Sequence, residues 1–223
     1  MQDKKPLGFI GKSVSGSWDS GTIAWNLCSR STFGGSDEEV FKFAKDAFRS
    51  NVSIVVNCAG LLNEQTWKLC IQVNLIGSTI IARTAIEQFG KHNGGAGGCV
   101  ILIGSVAGMS AAPHWPVYSA SKHGVIGLTR GFGSPRQFKH HGIRFNCLSP
   151  AYVDTPMTKN KDAFLFKEDF TDSRELAKLA LPPADVAAQI VKLTEDENQN
   201  GDVVVISTSR GVEKVEFPPM PLY

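Results

Sequence analysis

The sequence predicts an α/β protein in which a single domain is built on a doubly wound parallel sheet. Short β-branched runs at residues 52–57 and 99–103 have the composition of strands buried on both faces. Stretches with apolar residues at helical spacing alternate with these runs, which is typical of helices packed on both sides of a parallel sheet. The length of 223 residues and the hydrophobic content of 42% suit one domain with a continuous core.

The first well-defined element is an amphipathic helix that begins at Ser36. Ser36 and Glu39 have the spacing of a capping box, and apolar residues then recur at helical spacing as far as Phe48. The strand at 52–57 follows, and a long helix is expected from about Glu64 to Phe89.

The glycine-rich loop 93–98 ends this long helix, and the strand at 99–103 leads into Gly104 and Ser105. Pro116 then starts a helix that carries Tyr118 and Lys122, because proline is favoured at the first helical position. The later elements are a strand at 143–148, a mobile segment at 162–170, a helix at 183–193 and a last strand at 203–206.

The first 35 residues have no clear pattern beyond a candidate strand at 7–10. We therefore divide the domain into an atypical N-terminal segment, 1–35, a catalytic core, 36–211, and a C-terminal tail, 212–223. The chain has neither the short apolar core of an export signal nor a run of about 18 apolar residues, so we expect no membrane span.

Charge and cysteine content exclude some partners and favour one compartment. The 23 basic and 21 acidic residues give a net charge of +2 without a basic run, so nucleic acid is not an expected partner. Five cysteines at scattered spacings, several of them inside apolar runs, indicate a reducing cytoplasm. We expect no metal site.

Tyr118 and Lys122 lie four positions apart in a predicted helix, so their side chains share one face. A tyrosine needs its pKa lowered to act as a base near neutral pH, and a neighbouring ammonium and a bound cationic nicotinamide ring could both lower it. Ser105 stands at the carboxyl end of a predicted strand, where open α/β sheets bind ligands. The three residues thus form a candidate acid–base site that could act on a substrate oxygen.

Several motifs occur in one order along the chain. They are Asn57-Cys58-Ala59-Gly60, Asn74 in Val73-Asn74-Leu75, Ser105, Tyr118-Ser119-Ala120-Ser121-Lys122, and Ser149-Pro150-Ala151-Tyr152-Val153-Asp154-Thr155-Pro156. Together they resemble the short-chain dehydrogenase/reductase family, over about residues 36–211.

The resemblance implies a Rossmann-like fold and a nicotinamide-dependent interconversion of a secondary alcohol and a ketone. It assigns Tyr118 as general base, Lys122 as the group that holds the nicotinamide ribose and lowers the Tyr118 pKa, and Ser105 as the group that positions the carbinol. Asn74 would hold a water molecule in a proton relay to Lys122, and Trp115 would face the substrate. The implied cofactor-binding residues are Asn57, Cys58, Ala59, Gly60, Tyr118, Lys122, Val153, Asp154 and Thr155.

Within the family, the sequence around Tyr118 and at 201–211 most resembles NAD-dependent 15-hydroxyprostaglandin dehydrogenases. This likeness implies NAD as cofactor, with NADP not excluded, and a hydroxylated fatty-acid or prostaglandin-like substrate. Family members also pair through two long helices, here about 64–89 and 116–132, which implies a homodimer or homotetramer.

The sequence differs from the family pattern at the N-terminus. Family members begin with a strand and a glycine-rich turn that holds the cofactor pyrophosphate, and the nearest candidate, Gly11 to Ser17, has serines at two of the required glycines. Without that first strand, residues 7–10 must fill the sheet beside 52–57. The alternative function is therefore a relative that does not hold cofactor and acts as a binding or dimer-forming protein.

Overall fold

The computed structural model describes residues 22–25, 41–42, 44–46, 49–160, 163–166 and 178–218. The capping box at Ser36, the candidate strand at 7–10, the candidate glycine turn at 11–17 and most of the predicted mobile segment lie outside these residues.

Within the described residues, six strands form one sheet, and their spatial order is their order in the chain. Strands β1 to β5 are parallel, and β6 is antiparallel to β5. The strands are β1 Thr22–Trp25, β2 Ile54–Asn57, β3 Gly98–Ile103, β4 Ile143–Pro150, β5 Val203–Ser207 and β6 Gly211–Lys214.

Four helices complete the described core. Helix α1, Trp67–Phe89, is α-helical at both ends and contains one π-helical stretch, Gln72–Ile76. The other helices are α2 Pro116–Phe132, α3 Pro135–His141 and α4 Pro183–Glu195, and residues 41–42 and 44–46 are also helical.

Helices cover both faces of the sheet, which confirms the predicted doubly wound α/β domain. On one face α1 and α2 pack through Ile81, Ala85 and Val125 against the apolar side chains of β2 to β5. On the other face Leu193 of α4 packs with Ile101 and other side chains of the sheet. These two layers bury the β-branched strands on both faces, as their composition predicts.

Two predictions about the strands are wrong. Thr22–Trp25, and not residues 7–10, pairs with β2, with Trp25 opposite Asn57. Four residues are too few to show a period, so no pattern in the sequence predicts this strand. The segment 203–206 is also not the last strand, because the positive φ of Gly211 allows the chain to turn back into β6.

Helix α1 is the one described element long and apolar enough to cross a membrane, with 23 residues and a mean hydropathy of 1.5 over an 18-residue window. Core helices pass the same test, and α1 buries Ile81, Ala82 and Ala85 in the core of the domain. Its length and composition are therefore weak support for a membrane span.

Candidate active site

A cavity of ≈ 360 Å³ opens at the carboxyl ends of the central strands. Open α/β sheets bind their ligands at this edge, and the volume is within the range of about 300–1,000 Å³ found for ligand pockets. The cavity wall includes these predicted site residues: Cys58, Gly60, Ser105, Trp115, Tyr118, Lys122, Val153 and Thr155.

Ser105 and Tyr118 meet at the floor of this cavity. Ser105 follows β3 and caps a short 3₁₀ turn, where its Oγ accepts a hydrogen bond of 3.2 Å from Ala107 N–H. Its hydroxyl also acts on Tyr118 in the direction that lowers the tyrosine pKa. Both side chains are buried, so a substrate oxygen between them would be shielded from water.

Lys122 lies beside Tyr118 on α2, with its Nζ 5.6 Å from the centre of the tyrosine ring. The Nζ donates a hydrogen bond of 2.8 Å to the carbonyl of Ile103 at the end of β3. Burial lowers the pKa of Lys122 from 10.5 to about 8, because the low-dielectric surroundings penalise the ammonium.

The lowering of the Tyr118 pKa by Lys122 and a bound cofactor stays a prediction, because in the protein chain by itself the Tyr118 pKa is raised. Burial raises the pKa of Tyr118 to about 12, which outweighs the lowering effect of the Ser105 hydroxyl, and Cys70 raises the pKa further. A lower pKa therefore needs an additional positive charge, such as an oxidised nicotinamide ring.

Asn74 is fully buried in the π-helical stretch of α1, and its side-chain amide forms hydrogen bonds with other groups of the protein. Its Oδ1 accepts from Leu61 N–H at 2.7 Å, and its Nδ2 donates to Leu61 O at 2.8 Å and to Ser121 Oγ at 2.9 Å. The side chain therefore ties the loop after β2 to α2. π-Helical stretches of this kind occur frequently at functional sites.

The turn 57–60 follows β2 and forms one wall of the cavity. Asn57 is buried and is bonded to Ser78 and Ala59 N–H, which holds the turn in place. Gly60 leaves a gap, since a Cβ added there would lie 3.7 Å from Lys122 Nζ. Cys58 is exposed and lines the cavity, whereas Asn57 and Ala59 are buried and are not part of the cavity wall.

The segment 153–155 follows β4 and forms the opposite wall. Val153 makes an isolated parallel bridge with Leu181, and Thr155 caps the 3₁₀ turn Pro156–Lys159. Asp154 is not part of the cavity wall, since its carboxylate is largely exposed and forms a salt bridge of 2.6 Å with Lys159. Only Val153 and Thr155 of this predicted segment thus reach the cavity.

Trp115 contributes an apolar surface beside Tyr118. Its ring packs against Phe164, with centroids 5.0 Å apart, and against the cluster of Cys70, Ala107 and Tyr118. The indole N–H is buried and has no hydrogen-bond partner among the described residues.

Three buried residues of the site were not identified from the sequence. Glu64 binds the start of α2, Ser121 links Asn74 to the Tyr118 carbonyl, and Cys70 packs against Tyr118. Along the sequence, these residues are between three and 54 positions from the residues that they contact. Only Ser121, inside the Tyr118–Lys122 motif, had a signal in the sequence.

The site fits the nicotinamide half of a dinucleotide better than the pyrophosphate half. The gap at Gly60, the amine of Lys122 and the hydroxyl of Tyr118 line one cavity that could hold a ring and its ribose. Pyrophosphate is usually held by a glycine-rich turn after the first strand, and residues 26–33, which follow β1, contain no glycine.

Comparison with known proteins agrees with this architecture. The short chain dehydrogenase family profile matches residues 35–165. The 15-hydroxyprostaglandin dehydrogenase [NAD(+)] of Bos taurus is 32% identical over 191 residues, which cover 83% of this chain and 71% of that protein. Alcohol dehydrogenase 1 of Ceratitis cosyra is 31% identical over 150 residues, 65% of this chain and 58% of that protein.

A solved structure supports the fold independently. Levodione reductase superposes with a TM-score of 0.65 at 23% identity, covering 78% of this chain and 71% of that one. The family profile spans more than half of the sequence, and it includes the strand ends and helix that carry Ser105, Tyr118 and Lys122. The chain therefore belongs to the short chain dehydrogenase family.

Proposed function

We propose that this protein is a nicotinamide-dependent oxidoreductase that interconverts a secondary alcohol and a ketone. One observation carries the proposal: Ser105, Tyr118 and Lys122 are all buried, and all three line the same cavity. Two hydroxyl groups placed this way can bind one substrate oxygen, and one of them can exchange a proton with it.

In the oxidation direction, a bound nicotinamide supplies the hydride acceptor. The substrate hydroxyl would lie between Ser105 and Tyr118. Its proton would pass to the Tyr118 phenolate, and the hydrogen on the carbinol carbon would leave as hydride to the acceptor. Lys122 would hold ribose hydroxyls while its Nζ keeps the hydrogen bond to the Ile103 carbonyl. Because the chain raises the Tyr118 pKa to about 12, the tyrosine is suited to remain protonated until the cofactor's positive charge is present.

The cofactor we propose is NAD, with NADP as the alternative. The bovine relative is named for NAD(+), and this name supports the choice. The same relative, together with the largely apolar wall formed by Leu62, Trp115 and Phe164, supports a hydroxylated fatty-acid or prostaglandin-like substrate.

We also propose a homodimer or homotetramer in the cytoplasm. Trp67, Leu69 and Ile76 are about half exposed on α1, and apolar side chains of this size on one helix suit a helix-to-helix contact between two copies. The scattered cysteines support a reducing compartment.

A second function follows from the segment after β1. Because residues 26–33 contain no glycine, the chain could fold without holding the cofactor pyrophosphate, and it would then act as a binding or dimer-forming protein. The two functions differ in a measurable property, the affinity for dinucleotide.

Calorimetric titration of the purified chain with NAD and with NADP tests both. An oxidoreductase binds one dinucleotide and oxidises secondary alcohols, and Tyr118→Phe abolishes turnover while binding stays within a few fold, because only the proton acceptor is removed. Heat changes indistinguishable from buffer for both dinucleotides would overturn the oxidoreductase and favour the second function.

A further inference from the structure

Helix α2, which carries Tyr118, begins without a capping side chain of its own. The N-cap residue is Trp115, whose side chain makes no capping hydrogen bond, and Pro116 at the first helical position has no N–H. The first backbone donors that need a partner are therefore those of Val117 and Tyr118, since Ser119 N–H already bonds to Trp115 O.

Glu64 provides the missing acceptors from 53 and 54 positions earlier in the chain. One carboxylate oxygen accepts from Val117 N–H at 3.2 Å, and the other accepts from Tyr118 N–H at 2.9 Å. Glu64 is only 5% exposed, and an anion at a helix N-terminus is stabilised by the helix dipole. The shorter of the two bonds ends on the backbone of Tyr118 itself.

Other bonds hold Glu64 in place. Asn63 Oδ1 accepts from Gln65 N–H at 2.9 Å and from Thr66 N–H at 3.1 Å, which fixes the turn that carries Glu64. The backbone N–H of Glu64 donates to Ala163 O at 3.1 Å. Gln65 Nε2 adds a second bond to the same segment, 3.2 Å from Phe164 O.

The segment 163–165 is in turn bonded to the residues before α2, since Leu165 N–H donates to His114 O at 3.2 Å. Phe164 is buried, lines the cavity and packs against Trp115. A substrate that contacts Phe164 therefore contacts a segment bonded directly to Glu64, which in turn binds the Tyr118 backbone.

We infer that Glu64 is a positioning residue that fixes the backbone of Tyr118 and couples it to the cavity wall at 163–165. Proton transfer requires the hydroxyl to lie within a fraction of an ångström of its productive position. A shift at the start of the helix therefore lowers the turnover rate before it lowers the affinity for ligand. The kinetic part of this inference rests on the proposed oxidoreductase function. The part about the Tyr118 backbone and its coupling to 163–165 does not depend on that function.

The test uses the full chain with Glu64→Ala, which removes both acceptors, and Glu64→Gln, which keeps one oxygen. Glu87→Gln is the matched control, because Glu87 is an exposed carboxylate on α1. Amide hydrogen exchange followed by mass spectrometry reports the N–H groups of 117–118 and of 163–165, and steady-state kinetics gives kcat and the KM for NAD and alcohol.

We expect exchange at both segments to be roughly tenfold faster in Glu64→Ala, less so in Glu64→Gln, and unchanged in Glu87→Gln. We expect kcat to fall about tenfold or more while the KM for NAD stays within about twofold. If Glu64→Ala does not fold, Glu64→Gln carries the same comparison, because the amide is nearly isosteric with the carboxylate.

Unchanged exchange at 117–118, or faster exchange with an unaltered kcat, would overturn the inference. Faster exchange at 117–118 alone would also overturn it, since the coupling to 163–165 would be absent. An inactive wild-type protein would instead overturn the proposed function. In that case exchange at the two segments alone decides the role of Glu64, because it is measured without turnover.

Discussion

Replacing Lys122 by methionine should make the folded protein more stable, although it removes a residue of the candidate site. Lys122 is 3% exposed, and burial lowers its pKa from 10.5 to about 8. At pH 7 the lysine is protonated in both the folded and the unfolded chain, so this difference destabilises the fold by about 3 kcal/mol. The Lys122→Met variant loses the hydrogen bond to Ile103, which costs about 1 kcal/mol.

The net expectation is that Lys122→Met is about 2 kcal/mol more stable at pH 7, which raises Tm by about 4–8 °C for a chain of this size. The destabilisation by the buried Lys122 has its full size below the pKa of this lysine in the folded chain. It decreases as the pH rises towards the pKa in the unfolded chain. At pH 10 it is only about 1 kcal/mol, so the variant and the wild type should then have nearly equal stability.

Urea unfolding of both proteins at pH 7 and pH 10 measures this difference, with Lys45→Met as a control for the loss of an exposed charge. A variant that is less stable than wild type at pH 7 would refute the reasoning. So would a stability difference that is the same at both pH values, because the gain would then not come from the ionisation of Lys122.

Three further predictions concern the same cavity. Gly104→Ala should destabilise the protein by about 1–3 kcal/mol in urea unfolding, because the new Cβ would lie 2.5 Å from a buried serine oxygen of β4. Gly60→Leu should leave Tm nearly unchanged but weaken NAD binding at least tenfold in calorimetry, since the side chain would enter the cavity; unaltered binding would contradict the assigned ring position. In ultraviolet titration Tyr118 should ionise near pH 12, and saturating NAD should lower that pKa; the Tyr118→Phe variant identifies which phenol is observed.

The elements that the sequence predicts well are those with a local pattern. Pro116 marks the first residue of α2 because proline suits only the first helical turn, and the strand predicted at 143–148 lies inside β4. Short elements without a pattern were missed. Helix α3 has seven residues and β1 has four, and neither is long enough to show a period.

For the candidate site, the sequence predicted the residues on α2 and at the strand ends, but not the contacts that orient them. Ser105, Tyr118 and Lys122 line one cavity, as their motifs imply. The position of Glu64 depends on a loop that returns to the start of α2, and no spacing rule covers a separation of 54 residues. The high pKa of Tyr118 arises from burial, which the spacing of Tyr118 and Lys122 does not reveal.

The order of the sheet has a consequence for how the protein is made. From β1 to β6 each described strand pairs with the strand that precedes it in the chain. A nascent polypeptide leaving the ribosome can thus add strands at one growing edge, without inserting a late strand between two that have already paired. Assembly during translation would end with the β6 hairpin, which closes that edge.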